Sequence, residues 1–168
     1  MELIISPSAV EKTREAISEF PLATVSLLDM MKDKVEGEFD AAVDCMGFHM
    51  LITDADRMSY LKNAHSVLKL GAPMLFYKQS YRRDAYEGLV ESYENWLAIT
   101  GDDYETPQLR HVSDSGITVN IPLVPGRART KEGYISEFTD AGFALDDFKE
   151  MEINEQCPYS ASFWLHKI

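Results

Sequence analysis

Short apolar runs alternate with amphipathic segments along the first half of the chain. The apolar runs predict strands at residues 3–5, 23–28, 39–43 and 73–77. Between them, apolar residues recur at helical spacing, which predicts helices over 9–20 and 53–70. Because the strands are apolar rather than strictly alternating, the pattern is typical of a mostly parallel sheet that helices cover on both faces.

The second half of the chain has a different pattern. A helix is predicted over residues 81–100, a short strand over 116–122, and a further helix over 130–141 that ends at Gly142. Two runs with partial alternation, 143–153 and 160–168, predict the final strands. The link between these two strands is short, so they must be antiparallel.

Composition and charge narrow the class of protein. The chain has 168 residues, and its 16 Lys and Arg against 28 Asp and Glu give a net charge of −12. This length predicts a single domain over 1–168, and the acidic balance argues against nucleic acid as a partner. No apolar run approaches the roughly 18 residues of a membrane span. The two cysteines, Cys45 and Cys157, have no metal-ligand spacing. We therefore expect a cytoplasmic protein without a bound metal or a membrane contact.

Several short motifs lie where predicted strands end and helices begin. They are residues 4–11 (IISPSAVE), 25–29 (VSLLD), 39–51 (FDAAVDCMGFHML), 61–72 (LKNAHSVLKLGA) and 130–143 (TKEGYISEFTDAGF). In this order and spacing the chain resembles the class I S-adenosylmethionine-dependent methyltransferases. The resemblance implies an α/β fold with a Rossmann-like, mostly parallel sheet, helices on both faces, and a C-terminal antiparallel hairpin whose last strand inserts beside the parallel strands.

One part of the family's pattern has no counterpart in this sequence. In the family, the first strand leads into a glycine-rich loop whose backbone N–H groups approach the cofactor, and this chain starts where the second strand should be. Three alternatives stay open: an N-terminally truncated chain, a sheet completed by a partner such as a second copy in a homodimer, or a shortened fold. We expect the chain alone to bind the cofactor more weakly than micromolar.

The resemblance implies that the cofactor, S-adenosylmethionine, lies across the carboxyl ends of the parallel strands. Asp29 would accept a hydrogen bond from the adenine amino group, and Met30 would contact the ring. The methionine part would lie against residues 44–46. The alternatives are that Asp29 only ends a strand and that Cys45 is a small, inert residue. The implied cofactor-binding residues are Ser6, Asp29, Met30, Asp44, Cys45 and Met46.

His49 is the candidate catalytic residue. In some members of the family a histidine follows the corresponding strand and faces the reaction centre, and a neutral imidazole there accepts a proton from a hydroxyl, amine or thiol. The alternative is a histidine that caps the next helix or packs beside Phe48.

An aromatic and basic cluster follows the fifth strand of the family pattern, where the family inserts substrate-recognition elements. We expect residues 79–129 to form such an insertion. The alternative is an amphipathic helix whose aromatic side chains pack on the core. The candidate substrate-binding residues are Phe48, Tyr77, Lys78, Tyr86 and Trp96.

The expected function is methyl transfer to a small-molecule acceptor. The alternative is a non-catalytic relative that acts as an oligomerisation or regulatory partner. A nicotinamide-dependent oxidoreductase is disfavoured by the predicted terminal hairpin.

Overall fold

The computed structural model describes residues 1–4, 6–112, 116–151 and 159–168. A 3-10 turn, Phe48–Met50, connects the third strand to the second helix. The strands and helices of the described part are β1 (Glu2–Ile4), α1 (Pro7–Ala16), β2 (Val25–Leu27), β3 (Ala42–Cys45), α2 (Asp54–Val67), β4 (Pro73–Ser80), α3 (Tyr93–Thr100), β5 (Gln108–Val112), β6 (Ile117–Ile121), α4 (Lys131–Asp140), β7 (Phe143–Met151) and β8 (Ser160–Lys167).

A four-stranded sheet with the order β3-β4-β8-β7 forms the centre of the fold. β3 and β4 are parallel, whereas β8 is antiparallel to both of its neighbours. The structure thereby confirms the predicted α/β class, the terminal antiparallel hairpin, and the insertion of the last strand beside a parallel one. The turn predicted around 154–158 lies outside the described residues.

β1 and β2 form a separate parallel pair, with Ile4 opposite Leu27. Within the described ranges, β3 pairs with β4 along one edge and with no strand along the other. Val43 of β3 points to the sheet face that also presents Leu75 and Trp164, and its side chain is 67% exposed. β3 is therefore an open edge strand in the described part of the chain.

Aromatic rings fill the space between the central sheet and helices α2 and α4. The ring centroid of Phe76 in β4 lies 4.7 Å from that of Phe138 in α4 and 5.1 Å from that of Phe48. Phe138 lies 5.4 Å from Phe163 of β8, centroid to centroid. All four side chains are buried. Because Phe48 is held in this core, the 3-10 turn that presents His49 has a fixed position.

Both helices that pack on this core begin where their sequences predict. Thr53 caps α2, since its side chain accepts from the Asp56 backbone N–H at 3.1 Å. Thr130 caps α4 in the same way, accepting from the Gly133 N–H at 3.0 Å. Acidic residues in the first turn of each helix stabilise it further, because their negative charge lies at the positive end of the helix dipole.

The single long helix predicted over 81–100 is wrong in its first half. The helix begins only at α3, where the Ser92 side chain accepts from the Asn95 N–H at 3.2 Å. Upstream, the backbone bonds to other elements: the Arg82 N–H donates to the Arg129 carbonyl, and the Val90 N–H donates to the Asp54 carboxylate. These long-range bonds replace the helical ones.

The strand predicted over 116–122 is confirmed as β6, but its partner β5 was not predicted. The two strands form a separate antiparallel hairpin in which Arg110 lies opposite Val119. Most described side chains of this hairpin are exposed, so no apolar alternation identifies β5 in the sequence.

Candidate functional site

A cavity of about 650 Å³ runs along the whole of β3, from residues 39–41 before the strand to Gly47 after it, and reaches residues 28–31 after β2. Residues that follow β2 line one side of it, all of β3 lines another, and α2 contributes Tyr60 and Ala64. This volume lies within the range of small-molecule sites. The cavity brings together four of the predicted cofactor-binding residues: Asp29, Met30, Asp44 and Cys45.

Asp29 lies in the turn that follows β2, and its side chain is charged. Its carboxylate accepts a hydrogen bond from the Met31 backbone N–H at 3.0 Å and pairs with the Lys32 ammonium at 3.1 Å. The Met31 bond, assisted by Lys32, lowers the pKa of Asp29 below its usual value even though desolvation opposes this shift. Asp29 is therefore ionised at neutral pH, and its charge is paired with the Lys32 ammonium.

Asp44, the third residue of β3, is a buried anchor. One carboxylate oxygen accepts from the backbone N–H groups of Gly47 and Phe48 at 3.0 and 3.1 Å. The same oxygen accepts from the Gln79 amide at 2.6 Å, and the other accepts from the Tyr60 hydroxyl at 2.6 Å. Burial and the Asp44 carboxylate raise the pKa of Tyr60 well above its usual value, so this phenol stays a donor. Asp44 therefore orders the turn that leads to His49.

The turn after β3 depends on a close backbone approach. A Cβ added to Gly47 would lie 2.8 Å from an Asp44 carboxylate oxygen, closer than real Cβ contacts. Met46 just before it has a φ of 59°, in the left-handed region that side chains other than glycine adopt at a cost. The chain thus accepts backbone strain to bring these N–H groups onto Asp44.

His49 is half-buried on the 3-10 turn and is not among the residues that line the cavity. Both its backbone N–H and its Nδ1 contact the Gln79 side-chain oxygen, at 3.1 and 3.2 Å. Its carbonyl accepts from the Arg127 N–H at 2.7 Å. Burial is the largest cause that lowers the pKa of His49, and it outweighs the Gln79 hydrogen bond and the Asp44 charge, so the imidazole is neutral near pH 7.

The other predicted cofactor residues lie outside the cavity lining. Ser6 caps α1, because its hydroxyl accepts from the Ala9 N–H at 3.4 Å. Met46 is exposed at the end of β3. Their roles as cofactor contacts stay predictions.

The predicted substrate-binding residues occupy four different environments. Phe48 is fully buried beneath the Arg57 guanidinium, whose carbon lies 4.1 Å from the ring centroid. Tyr77 lies beside Cys45 in the β3–β4 register, and the Lys78 ammonium lies 5.1 Å from the Tyr77 ring. Trp96 packs in a second small core and Tyr86 is exposed, so the structure does not bring these side chains to one surface. Their roles in substrate binding also stay predictions.

Sequence reasoning missed the buried ion pairs behind the site. The Arg57 guanidinium, 1% exposed, donates to both carboxylate oxygens of Glu137 at 2.8 and 2.7 Å. It also donates to the carbonyls of Phe48 and Leu51. No local signal could have revealed this pair, because its members are 80 positions apart. The pair fixes the 3-10 turn to α2 and α4 at once.

A second buried arginine joins the region 79–129 to the site. Arg127 donates to the Ile52 carbonyl at 2.8 Å, to the Asp54 carboxylate at 3.0 Å and to the Gly88 carbonyl at 3.0 Å. Desolvation lowers the pKa of Arg127, and Asp54 opposes this shift. The segment around residue 88 is thereby held against the start of α2.

Two absences apply to the described ranges. They contain no group of three or more His, Cys, Asp or Glu residues that could hold a metal ion. None of their helices combines the length and apolar character that crossing a membrane would require.

No protein-family model and no curated protein matches the chain. Solved structures match its fold. An S-adenosylmethionine-dependent methyltransferase from Methanosarcina mazei matches with a TM-score of 0.69 at 16% identity, over 99% of this chain and 80% of its own. The N-methyltransferase NodS from Bradyrhizobium japonicum, in complex with S-adenosyl-L-homocysteine, matches with a TM-score of 0.62 at 10% identity, over 98% and 64%.

A third similar structure is the 1,6-didemethyltoxoflavin-N1-methyltransferase from Burkholderia thailandensis, with a TM-score of 0.61 at 13% identity, over 93% of this chain and 56% of its own. The protein thus has the fold of the class I methyltransferases, as its sequence motifs predicted. It spans between 56% and 80% of the length of these three structures.

Proposed function

We propose that this protein binds S-adenosylmethionine and takes part in methyl transfer to a small-molecule acceptor. The observation that supports the proposal most directly is the cavity along β3, which reaches the carboxyl ends of β2 and β3 where Asp29 and Asp44 lie. Ligands of open α/β sheets bind at such strand ends. The similar structures include methyltransferases whose names specify N-methylation or a bound S-adenosylhomocysteine.

The cavity has a size and a mixed polar and apolar lining that fit an adenosyl group. Its volume of about 650 Å³ is sufficient for such a ligand, and its lining combines the charged Asp29 with the apolar Met30, Val35 and Leu68. When bound, S-adenosylmethionine supplies a methyl group that the positive sulfur already activates. The protein's own task is to position the two reactants and to exclude water.

Within this proposal, Asp29 accepts a hydrogen bond from the cofactor and Met30 contacts its base. Asp44 contributes negative potential and holds the turn, while Cys45 provides a small cavity wall. We propose His49 as the general base for an acceptor that must lose a proton, since its imidazole is neutral near pH 7. Residues 79–129 are proposed to recognise the acceptor, with Tyr77 and Lys78 at the adjoining end of β4.

Nuclear magnetic resonance titration with S-adenosylhomocysteine tests the proposal and detects weak binding. We expect saturable shifts of the backbone amides of residues 29–31 and 44–47. Asp29→Ala should weaken binding at least about tenfold, because a hydrogen bond to a charged group contributes roughly 1.5–3 kcal/mol and about 1.4 kcal/mol is a factor of ten. Asp103→Ala is the matched control, because Asp103 accepts similar turn bonds from Glu105 and Thr106 on an exposed loop. A folded protein whose 29–31 and 44–47 amides do not respond would contradict the proposal.

The expected affinity is tested separately by calorimetry. Gly47 is the one glycine among the described residues that line the cavity, so few backbone N–H groups can approach a ligand closely. We therefore propose that the chain alone binds more weakly than micromolar. A micromolar dissociation constant would contradict this expectation and leave the proposed function intact.

A second candidate function is that of an oligomerisation partner, with a homodimer that completes the sheet. The open edge of β3 favours it, because unpaired strand edges are templates for pairing with another chain. Sedimentation velocity tests this candidate: Val43→Lys should dissociate the dimer, whereas Leu109→Lys on the exposed β5 strand should not. A wild-type chain that stays monomeric at its highest soluble concentration would contradict it.

A further inference from the structure

Gln79 of β4 is fully buried between the Asp44 carboxylate, which can only accept hydrogen bonds, and the His49 backbone N–H, which can only donate one. Its amide nitrogen is 2.6 Å from an Asp44 carboxylate oxygen and 3.1 Å from the Tyr77 carbonyl, and both of these are acceptors. Its amide oxygen is 3.1 Å from the His49 backbone nitrogen, which can only donate. A flipped amide would oppose acceptor to acceptor and donor to donor, so these three contacts fix its orientation.

The fixed amide decides which ring nitrogen of His49 has the hydrogen. Nδ1 lies 3.2 Å from the Gln79 oxygen, which has no hydrogen to give. Nδ1 must therefore be the donor. In a neutral imidazole the other nitrogen, Nε2, is then an acceptor. Within the described ranges Nε2 has no hydrogen-bond partner, so its lone pair is unused.

We propose that Gln79 is a positioning residue that holds His49 as the Nδ1–H tautomer and leaves Nε2 as the proton acceptor. The tautomer follows from contacts within this chain alone. Its meaning for catalysis rests on the proposed function, because a general base needs its free lone pair directed at the substrate proton.

The charged groups around the imidazole are consistent with a neutral ring. The Gln79 hydrogen bond and the Asp44 charge favour the protonated form, whereas the charge of Arg57 on α2 disfavours it. Desolvation is larger than either effect and lowers the pKa of His49. Near pH 7 the His49 ring is therefore neutral, and its surroundings determine which of its two nitrogens has the hydrogen.

Long-range proton–nitrogen spectra of the full chain labelled with nitrogen-15 histidine test the proposal without cofactor or acceptor. For His49 we expect Nδ1 at the chemical shift of a protonated nitrogen and Nε2 at that of an unprotonated one. His65, His111 and His166 serve as internal references for the folded state. A wild-type spectrum with the opposite assignment, or with averaged shifts for both nitrogens, would overturn the proposal whether or not a variant folds.

Gln79→Met removes the acceptor at similar side-chain length, and it should move His49 toward the Nε2–H form. Gln108→Met, an exposed glutamine on β5, is the matched control and should change nothing. A Gln79→Met protein that retains the Nδ1–H form would refute the role of Gln79. Because these spectra need no ligand, a failed cofactor titration refutes the proposed function and leaves the tautomer assignment standing.

Discussion

Replacing Arg57 by Met should destabilise the protein more than any surface charge substitution. Arg57 is 1% exposed and makes two bonds to Glu137 and two to backbone carbonyls. Loss of one partner from a buried ion pair costs about 3–5 kcal/mol, and the remaining 3.2 Å contact of Glu137 with Arg129 places the expected loss toward the lower end of this range. This is a large part of the roughly 5–15 kcal/mol that stabilises a typical domain.

Urea unfolding, analysed with the same dependence of free energy on urea concentration for both proteins, measures this loss. Calorimetry should show a melting temperature lower by roughly 6–20 °C for a chain of this size. Arg83→Met is the matched control, because Arg83 also contacts both carboxylate oxygens of Glu150, at 3.1 and 3.2 Å, but is exposed. If the two variants lose equal stability, burial does not set the strength of the Arg57 pair and the reasoning fails.

Two further predictions concern the turn and the acid limit of stability. Gly47→Ala should lower the free energy of unfolding by about 1–3 kcal/mol, because its Cβ would displace the Asp44 carboxylate; urea unfolding equal to wild type would disprove the close approach. For Asp54, burial raises the pKa, but the Val90 N–H and Arg127 lower it more, so the folded pKa lies below the ordinary 3.8. Its stabilising contribution is complete above pH 3.8 and is lost as the pH falls toward the folded pKa. Asp54→Asn should reduce the fall of the urea midpoint as the pH drops below 3.8. A variant whose urea midpoint depends on pH as in the wild type would contradict this prediction.

The elements predicted correctly from the sequence are those with strong local signals. Thr53 and Thr130 cap helices through their own side chains, which is a local signal. The apolar run of β4 is the second such signal, because it buries Met74 and Phe76 in the core. The helix over 81–100 failed because tertiary bonds from Asp54 and Arg129 to its backbone replaced local propensity.

For the candidate site, the sequence predicted the strand-end residues but not their supports. Asp29 and Asp44 were named because the motifs that contain them resemble those of the methyltransferase family, and both residues line the cavity. Gln79 was not found, because it contacts His49 across 30 positions and Asp44 across 35. Such contacts exist only after β3 and β4 pair.

The position of β8 has a consequence for the order of assembly during synthesis. Residues 160–167 follow every other described strand in the chain, yet they lie between β4 and β7 in the sheet. Until the ribosome releases this segment, β7 has no described strand to pair with and β4 lacks its second neighbour. A nascent chain that has not yet exposed β8 therefore presents unpaired edges on β4 and β7, and such edges favour aggregation during folding.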